Sequence, residues 1–431
     1  MSELSRRTFL KTSAAITAAG AGIHAAAQAQ AAAASPNERI GVGIIGCRSQ
    51  GTLLGNVMLS TGQYDVIAVC DCDTEMSASG IERMKDHENA PTRTEQDFRR
   101  VLDDPDIDAV VLAVPDHWHA LMTCMALDAG KHVYVEKPAS YNIADGKAML
   151  AAQARHPGLQ VQVGTMQRSG DHFKEAREFL QSGALGKIAF ARAMIVHERG
   201  RIDPVPDSDP PENLDYEMWL GPAPFHPYNE ARCHYNWHWV YDFGTGEMGN
   251  WGAHWIDILL WFLDLGYPET VTAAGGQFVT KDIKEWPDTQ TVLYQYPDLT
   301  LLWELRLWSR FGPGGGIGNG CEFCGDKGAL VIDRGGWRFI PRDGEPERHE
   351  GSRMNEPHAE NFAASIRGLE TPIAPLIDGH RTANLCHLGN ISVRLNRQLK
   401  FDGETETILG DEEAQAMTGR AYREPWRHPG V

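Results

Sequence analysis

Between Arg39 and Gly164, short apolar runs alternate with helix-like segments, and this beat leaves few ways to fold. The runs are Arg39–Gly46, Tyr64–Cys70, Ile107–Val114, Val133–Val135 and Leu159–Gly164. Each is four to eight residues long or shorter, and most are bounded by glycine, aspartate or proline, as buried strands are. Between them, Thr52–Leu59, Phe98–Asp104, Ala120–Ala129 and Ile143–Arg155 have the spacing of helices. Strands that alternate with helices predict an α/β Rossmann-type fold, a doubly wound parallel sheet. Such sheets bind ligands outside the carboxyl ends of their strands.

The turn Gly46-Cys-Arg-Ser-Gln-Gly51 joins the first strand to the first helix. Backbone N–H groups at a helix N-terminus receive a pyrophosphate in dinucleotide-binding layouts. The middle glycine of that pattern is Arg48 here, whose guanidinium is an alternative phosphate contact. The second strand ends at Asp71, 25 residues past Gly46. A carboxylate there accepts hydrogen bonds from ribose hydroxyls and repels a 2′-phosphate, which favours NAD over NADP. Asp73 is a nearby alternative, and either residue could cap the next helix.

Lys131-His-Val-Tyr-Val-Glu-Lys-Pro138 carries a short strand that Pro138 terminates. Glu136 and Lys137 then stand at its carboxyl end. A lysine there can hydrogen-bond a hydroxyl and serve proton transfer; a structural ion pair is the competing reading.

Ala113-Val-Pro-Asp-His-Trp-His-Ala120, Val133-Tyr-Val-Glu-Lys-Pro138 and Val161-Gln-Val-Gly-Thr165 together resemble the Gfo/Idh/MocA oxidoreductases. The resemblance implies that Lys137 meets both nicotinamide and substrate. The cofactor-binding set it implies is Gly46, Arg48, Gly51, Asp71, Pro115, His119, Glu136 and Lys137. In the glycine-rich stretch Gly244–Asp257, the family places an aspartate four residues before a histidine. Here these are Asn250 and His254, so His254 is the implied proton-handling imidazole and Asn250 cannot titrate. Asp257 is expected to be a structural acceptor. The substrate-facing set is Arg168, Tyr235, Trp237 and Asn250. Aromatics from Trp219 to Trp239 suit sugar C–H faces, or equally a second-domain core.

From Glu269 to Ile340 the pattern is β-rich, which predicts a C-terminal α+β domain with a mostly antiparallel sheet. The expected division is a signal peptide at 1–34, an NAD-binding domain at 35–165, a substrate and oligomerisation domain at 166–397, and a C-terminal tail at 398–431, on the surface or at a subunit contact. Ser5-Arg-Arg-Thr-Phe-Leu-Lys11 and the alanine-rich run after it have the form of a twin-arginine export signal. Residues 1–34 hold three basic side chains and one acidic one, so their removal takes the formal charge from −18 to −20. That charge argues against nucleic acid as a partner. Cys321-Glu-Phe-Cys324 has redox or zinc spacing, yet in a strand residues three apart face opposite ways, so no metal is expected. The flexible Phe311–Gly318 run lacks the strand–helix frame of a phosphate loop.

Three functions compete. The first is an exported oxidoreductase acting on a sugar or polyol with tightly held NAD, working as a homo-oligomer. The second is a redox-neutral glycoside hydrolase that uses transient oxidation and elimination. The third is a non-enzymatic sugar-binding protein. The mature form is expected to have no membrane span and to meet the twin-arginine machinery during export.

Overall fold

A computed structural model describes residues 39–312, 316 and 318–430. The export signal and the centre of the 311–318 run lie outside the described residues. Six strands form the first sheet: β1 (Ile40–Ile45), β2 (Tyr64–Cys70), β3 (Arg93–Glu95), β4 (Ala109–Leu112), β5 (His132–Val135) and β6 (Val161–Val163). Their order is β3-β2-β1-β4-β5-β6 and the pairings are parallel. Val42, Ile44, Val110 and Val111 are fully buried, as expected where helices cover both faces. The helix after β4 begins at Asp116, four residues ahead of the expected Ala120. Pro115 sits at its N-cap, where a missing N–H costs nothing.

The second sheet holds ten strands. They are β7 (Ile188–Val196), β8 (Thr270–Gly276), β9 (Thr289–Gln295), β10 (Thr300–Arg306), β11 (Asn319–Gly325), β12 (Gly328–Asp333), β13 (Gly336–Pro341), β14 (Glu347–Glu350), β15 (Leu399–Asp402) and β16 (Thr407–Leu409). The order is β14-β13-β12-β11-β7-β10-β9-β8-β15-β16, and only β7 with β10 pairs parallel. The helix Ala253–Leu263 packs on its inner face, where Phe262 stacks on Phe323 with ring centroids 5.2 Å apart. Cys321 is buried in β11 and all eight cysteines are free thiols. No helix among the described residues is long and apolar enough to cross a membrane. None of their His, Cys, Asp and Glu side chains form a cluster that could hold a metal.

The last segment corrects the expected surface tail. Residues 399–409 extend the second sheet as β15 and β16. Further on, Trp426 packs into the first domain, with ring centroids 4.9 Å from Trp118 and 6.3 Å from Phe98. Tyr422 donates to Asp145 Oδ1 at 3.0 Å. Scattered aromatics in a polar segment carry no periodicity, so their burial depends on the partner surface.

Candidate active site

A cleft of about 390 Å³ runs along the carboxyl edge of the first sheet, from Gly46 and Asp71 to Lys137 and Asn250. At one end, Gly46 adopts φ +89°, and a Cβ there would lie 2.4 Å from the Ala113 carbonyl oxygen. Gly51 does not line the cleft. A Cβ on it would meet the Gly46 carbonyl oxygen at 1.8 Å, so its role is close helix–strand packing. Arg48 is exposed and lines the cleft, with its guanidinium 5.2 Å from the Tyr235 ring centroid.

Asp71 faces the cleft with both oxygens anchored. Oδ2 accepts the Cys47 N–H at 2.8 Å and Oδ1 accepts the Asp73 N–H at 3.0 Å. Burial pushes its carboxyl up, and these two bonds oppose the shift. Asp73 is a helix cap: its Oδ1 accepts from the Glu75 N–H at 2.8 Å. It also accepts from Asn213 Nδ2 at 2.7 Å and pairs with His234 Nε2 at 2.8 Å. Those last two partners belong to a segment running on from β7. That segment therefore roofs the nucleotide end of the cleft.

The aromatic stretch serves both readings left open by the sequence. Tyr216, Trp219, Val240 and Phe243 form a small core, against which Trp237 packs. Tyr235 and Trp237 also line the cleft. Tyr235 stacks under Arg48 beside the glycine turn, so the structure moves it from the substrate side to the cofactor side.

At the other end, Lys137 Nζ donates to Asn250 Oδ1 at 2.8 Å. Asn250 Nδ2 donates to Glu247 Oε2 at 3.1 Å, and Arg199 Nε donates to Glu247 Oε1 at 2.8 Å. The amide is thus oriented by an ammonium on one side and a buried carboxylate on the other. This is a use of asparagine that needs no titration. Glu136 lines the cleft and accepts from Gln50 Nε2 at 2.8 Å and the Lys137 N–H at 3.1 Å.

Besides Gly51, three expected residues lie outside the cleft lining, and Tyr235 lines its cofactor side. His119 is buried outside the cleft lining, with Nδ1 2.7 Å from the Pro138 carbonyl and Nε2 3.0 Å from the Val114 carbonyl; its ring is neutral, so its one N–H donates to one of the two. It positions the strand ends and does not face a cofactor. Arg168 is also buried away from the cleft. Its Nε and terminal nitrogen meet Asp257 at 2.7 and 2.8 Å, and Nη1 meets Asp378 at 2.7 Å. A buried guanidinium needs such partners, and its charge is fully used by them; it is withdrawn as a substrate contact. His254 does not line the cleft either. Asn250 lies in a π-helical turn, Met248–Gly252, and His254 follows in the helix Ala253–Leu263. His254 is 7% exposed, its Nδ1 has no partner, and its ring lies edge-on to Trp251 with centroids 5.8 Å apart. Burial, then Arg334, then Lys137 push its pKa well below the usual range, so the ring is neutral.

Two cleft residues escaped the sequence reading. Asp116 is buried, and its Oδ2 accepts the Thr245 N–H at 3.0 Å and hydroxyl at 2.7 Å. Burial raises its pKa to about 7 against the pull of Thr245 and Lys137. His238 pairs through Nδ1 with the Tyr235 carbonyl at 2.7 Å and leaves Nε2 unpartnered. Burial holds its pKa down to about 3. Asp116 stood in a quoted motif, next to Pro115 at a strand end, and that was the available signal. His238 had none beyond its aromatic neighbours.

A glycine turn, an anchored aspartate one strand over, and a lysine three strands from that aspartate define a dinucleotide-binding α/β site. Residues 40–165 match the NAD-binding Rossmann domain of an oxidoreductase family, and residues 199–301 and 351–428 match its C-terminal alpha/beta domain. The chain belongs to the Gfo/Idh/MocA oxidoreductase family. Residues 3–22 match the twin-arginine translocation signal, so the chain carries a signal for that export route.

An uncharacterized oxidoreductase of Bacillus subtilis, YrbE, is 31% identical over 185 residues, which is 43% of this chain and 49% of that protein. Inositol 2-dehydrogenase of Salmonella typhimurium is 25% identical over 160 residues, 37% of this chain and 44% of the enzyme. The chain thus spans about half the length of the curated relatives it matches. A levoglucosan dehydrogenase solved with NADH and levoglucosan shares the fold at TM-score 0.66 and 18% identity, over 84% of this chain and 99% of that one.

Proposed function

We propose that this protein is an exported enzyme that transfers a hydride between NAD held in the cleft and a carbinol carbon of a sugar or polyol. The observation that carries the reading is the Lys137 ammonium, oriented by Asn250 at the carboxyl end of β5, three strands across the sheet from Asp71. At a strand spacing near 4.8 Å that is roughly 14 Å, a span suited to an extended dinucleotide. The backbone turn at Gly46 would take the pyrophosphate and Asp71 the adenosine ribose, favouring NAD over NADP. NAD bound there supplies the hydride acceptor.

Lys137 has two N–H groups beyond the one given to Asn250, and we assign one to the carbinol oxygen. His254 lies just outside the cleft lining but close enough to Lys137 to feel its charge; neutral and with Nδ1 unpartnered, it is the proposed acceptor of the hydroxyl proton. The roof made by Asn213, His234 and Tyr235 supports slow cofactor release. An enzyme working in the periplasm, outside the cytoplasmic NAD pool, would carry its cofactor through export and restore its oxidation state within each cycle. A homo-oligomer through the outer face of the second sheet, where Leu293, Trp308 and Ile340 are exposed, completes the proposal; light scattering checks it.

The test is to purify the exported protein, denature it and quantify released nicotinamide. Near-stoichiometric release is expected. Cofactor-free protein that makes one NADH per substrate from added NAD would replace the reading with an ordinary dehydrogenase. Release of a sugar leaving group without net NADH would redirect it to redox-neutral cleavage. Calorimetry with cofactor-stripped protein should show tighter binding of NAD than of NADP.

A further inference from the structure

Behind Asn250, on the side of the second sheet, three side chains meet the indole of Trp251, and a fourth, Gln167, joins them through Arg334. The Arg334 guanidinium lies 4.9 Å from its ring centroid. His254 and His197 meet its edges with centroids 5.8 and 5.9 Å away. Gln167, buried against the same group, accepts one N–H of Arg334 through Oε1 at 3.2 Å. Trp251, Arg334 and His197 are half-buried, and Gln167 and His254 are buried beneath them.

The atoms left without partners in this cluster are all nitrogens: Arg334 Nε, Gln167 Nε2, His254 Nδ1 and His197 Nε2. His197 Nε2 comes no closer than 3.9 Å to Glu247. Arg334 has no carboxylate within ion-pair distance among the described residues. Glu136, the nearest acid to influence it, spends its oxygens on Gln50 and the Lys137 amide. Arg168 shows what this chain does with a structural buried arginine, for it carries two carboxylates. A guanidinium held in place and left unpaired is costly unless something else supplies the acceptor. A planar fork of donors matches a carboxylate bidentately, and an amide N–H beside it adds a third bond.

We propose that Arg334 and Gln167 form a subsite for a carboxylate on the substrate, so that the favoured substrates are sugar acids rather than neutral sugars or polyols. The inference rests on the oxidoreductase reading and names its substrate class. Asn250, which holds Lys137, adjoins Trp251 in sequence, and His254 touches the same indole. The carboxylate would therefore bind beside the reacting carbinol, leaving Lys137 and His254 for the hydroxyl.

The test uses D-gluconate and D-sorbitol, which share the carbon chain and differ in a terminal carboxylate. Binding to the purified mature protein with its nicotinamide in place is measured by calorimetry, at low and high salt. Gluconate should bind on the order of tenfold or more tightly than sorbitol, the worth of a charge-assisted hydrogen bond, and salt should narrow the gap. Arg334→Gln should erase the preference while sorbitol binding and the melting temperature hold. Equal binding of the two probes by the unaltered protein, no binding of gluconate, or a folded Arg334→Gln that keeps the preference would each overturn the proposal. Failure of the oxidoreductase reading is seen separately: the absorbance of reduced nicotinamide would not change with any ligand that binds.

Discussion

The two sides of Lys137 are built differently. Toward the nucleotide, the acids are already anchored by protein: Asp71 takes two backbone N–H groups, Asp73 is held by Asn213 and His234, and Glu136 by Gln50 and a backbone amide. Toward the second sheet, nitrogens around Trp251 are left bare. An anchored end is rigid before its ligand arrives, which lowers the cost of ordering on binding. A bare end carries a desolvation cost that only a fitting ligand relieves, which is how a site discriminates. The chain thus pre-organises for the cofactor and leaves its selectivity to the substrate side.

Removing the residue between the two sides should have the largest effect. Lys137→Ala is expected to drop turnover to background while the melting temperature and the bound nicotinamide content stay unchanged. His254→Ala should lose about 10²–10⁴-fold in kcat, the usual worth of general base catalysis. Retention of full activity across the pH range would reassign the proton acceptor, with His238 next in line.

Arg168→Ala tests the opposite kind of site, where everything is satisfied. It strands two carboxylates, one fully buried, and should destabilise the fold by about 3–5 kcal/mol in urea unfolding. A folded variant with a raised KM and unchanged stability would restore Arg168 to the substrate site.

Asp116 sharpens the comparison through pH. Its folded-state pKa of about 7 lies above the ordinary 3.8, so burial disfavours the charged form. That raised value contributes stability at acid pH, and the contribution is lost as pH rises from about 4 to about 7, at about 1.4 kcal/mol per unit. Asp116→Asn should keep the Thr245 bonds and lose this dependence. Its stability relative to the unaltered protein should therefore improve between pH 5 and pH 8. A constant difference would show that Asp116 does not titrate in that range.

The smallest effect is expected at the roof. His234→Ala removes one partly exposed pairing with Asp73, worth about 0.2–1 kcal/mol. Nicotinamide should leave a few-fold faster in stopped-flow dilution, with kcat unchanged. An unchanged release rate would locate retention elsewhere.

Sequence by itself determined five of the six strands of the first sheet, the glycine turn and the strand-end positions of Asp71 and Lys137, because each is written in local signals: strand period, turn chemistry and the end of an apolar run; the short, polar β3 carries none of these. The twin-arginine signal is legible for the same reason. Tertiary structure alone decided which polar side chains meet. Arg168 looks the same in sequence whether it faces a ligand or two aspartates, and the answer came from helices about 90 and 210 residues away. His254 and Asn250 share a motif, yet only Asn250, within a π-helical turn, lines the cleft. The final segment carries no period, and Trp426 is half-buried only because Phe98 and Trp118 leave it a place. Backbone conformation is chosen largely by neighbours in the chain. The pairing of charges and the filling of space are chosen by neighbours in three dimensions, and sequence spacing does not encode them.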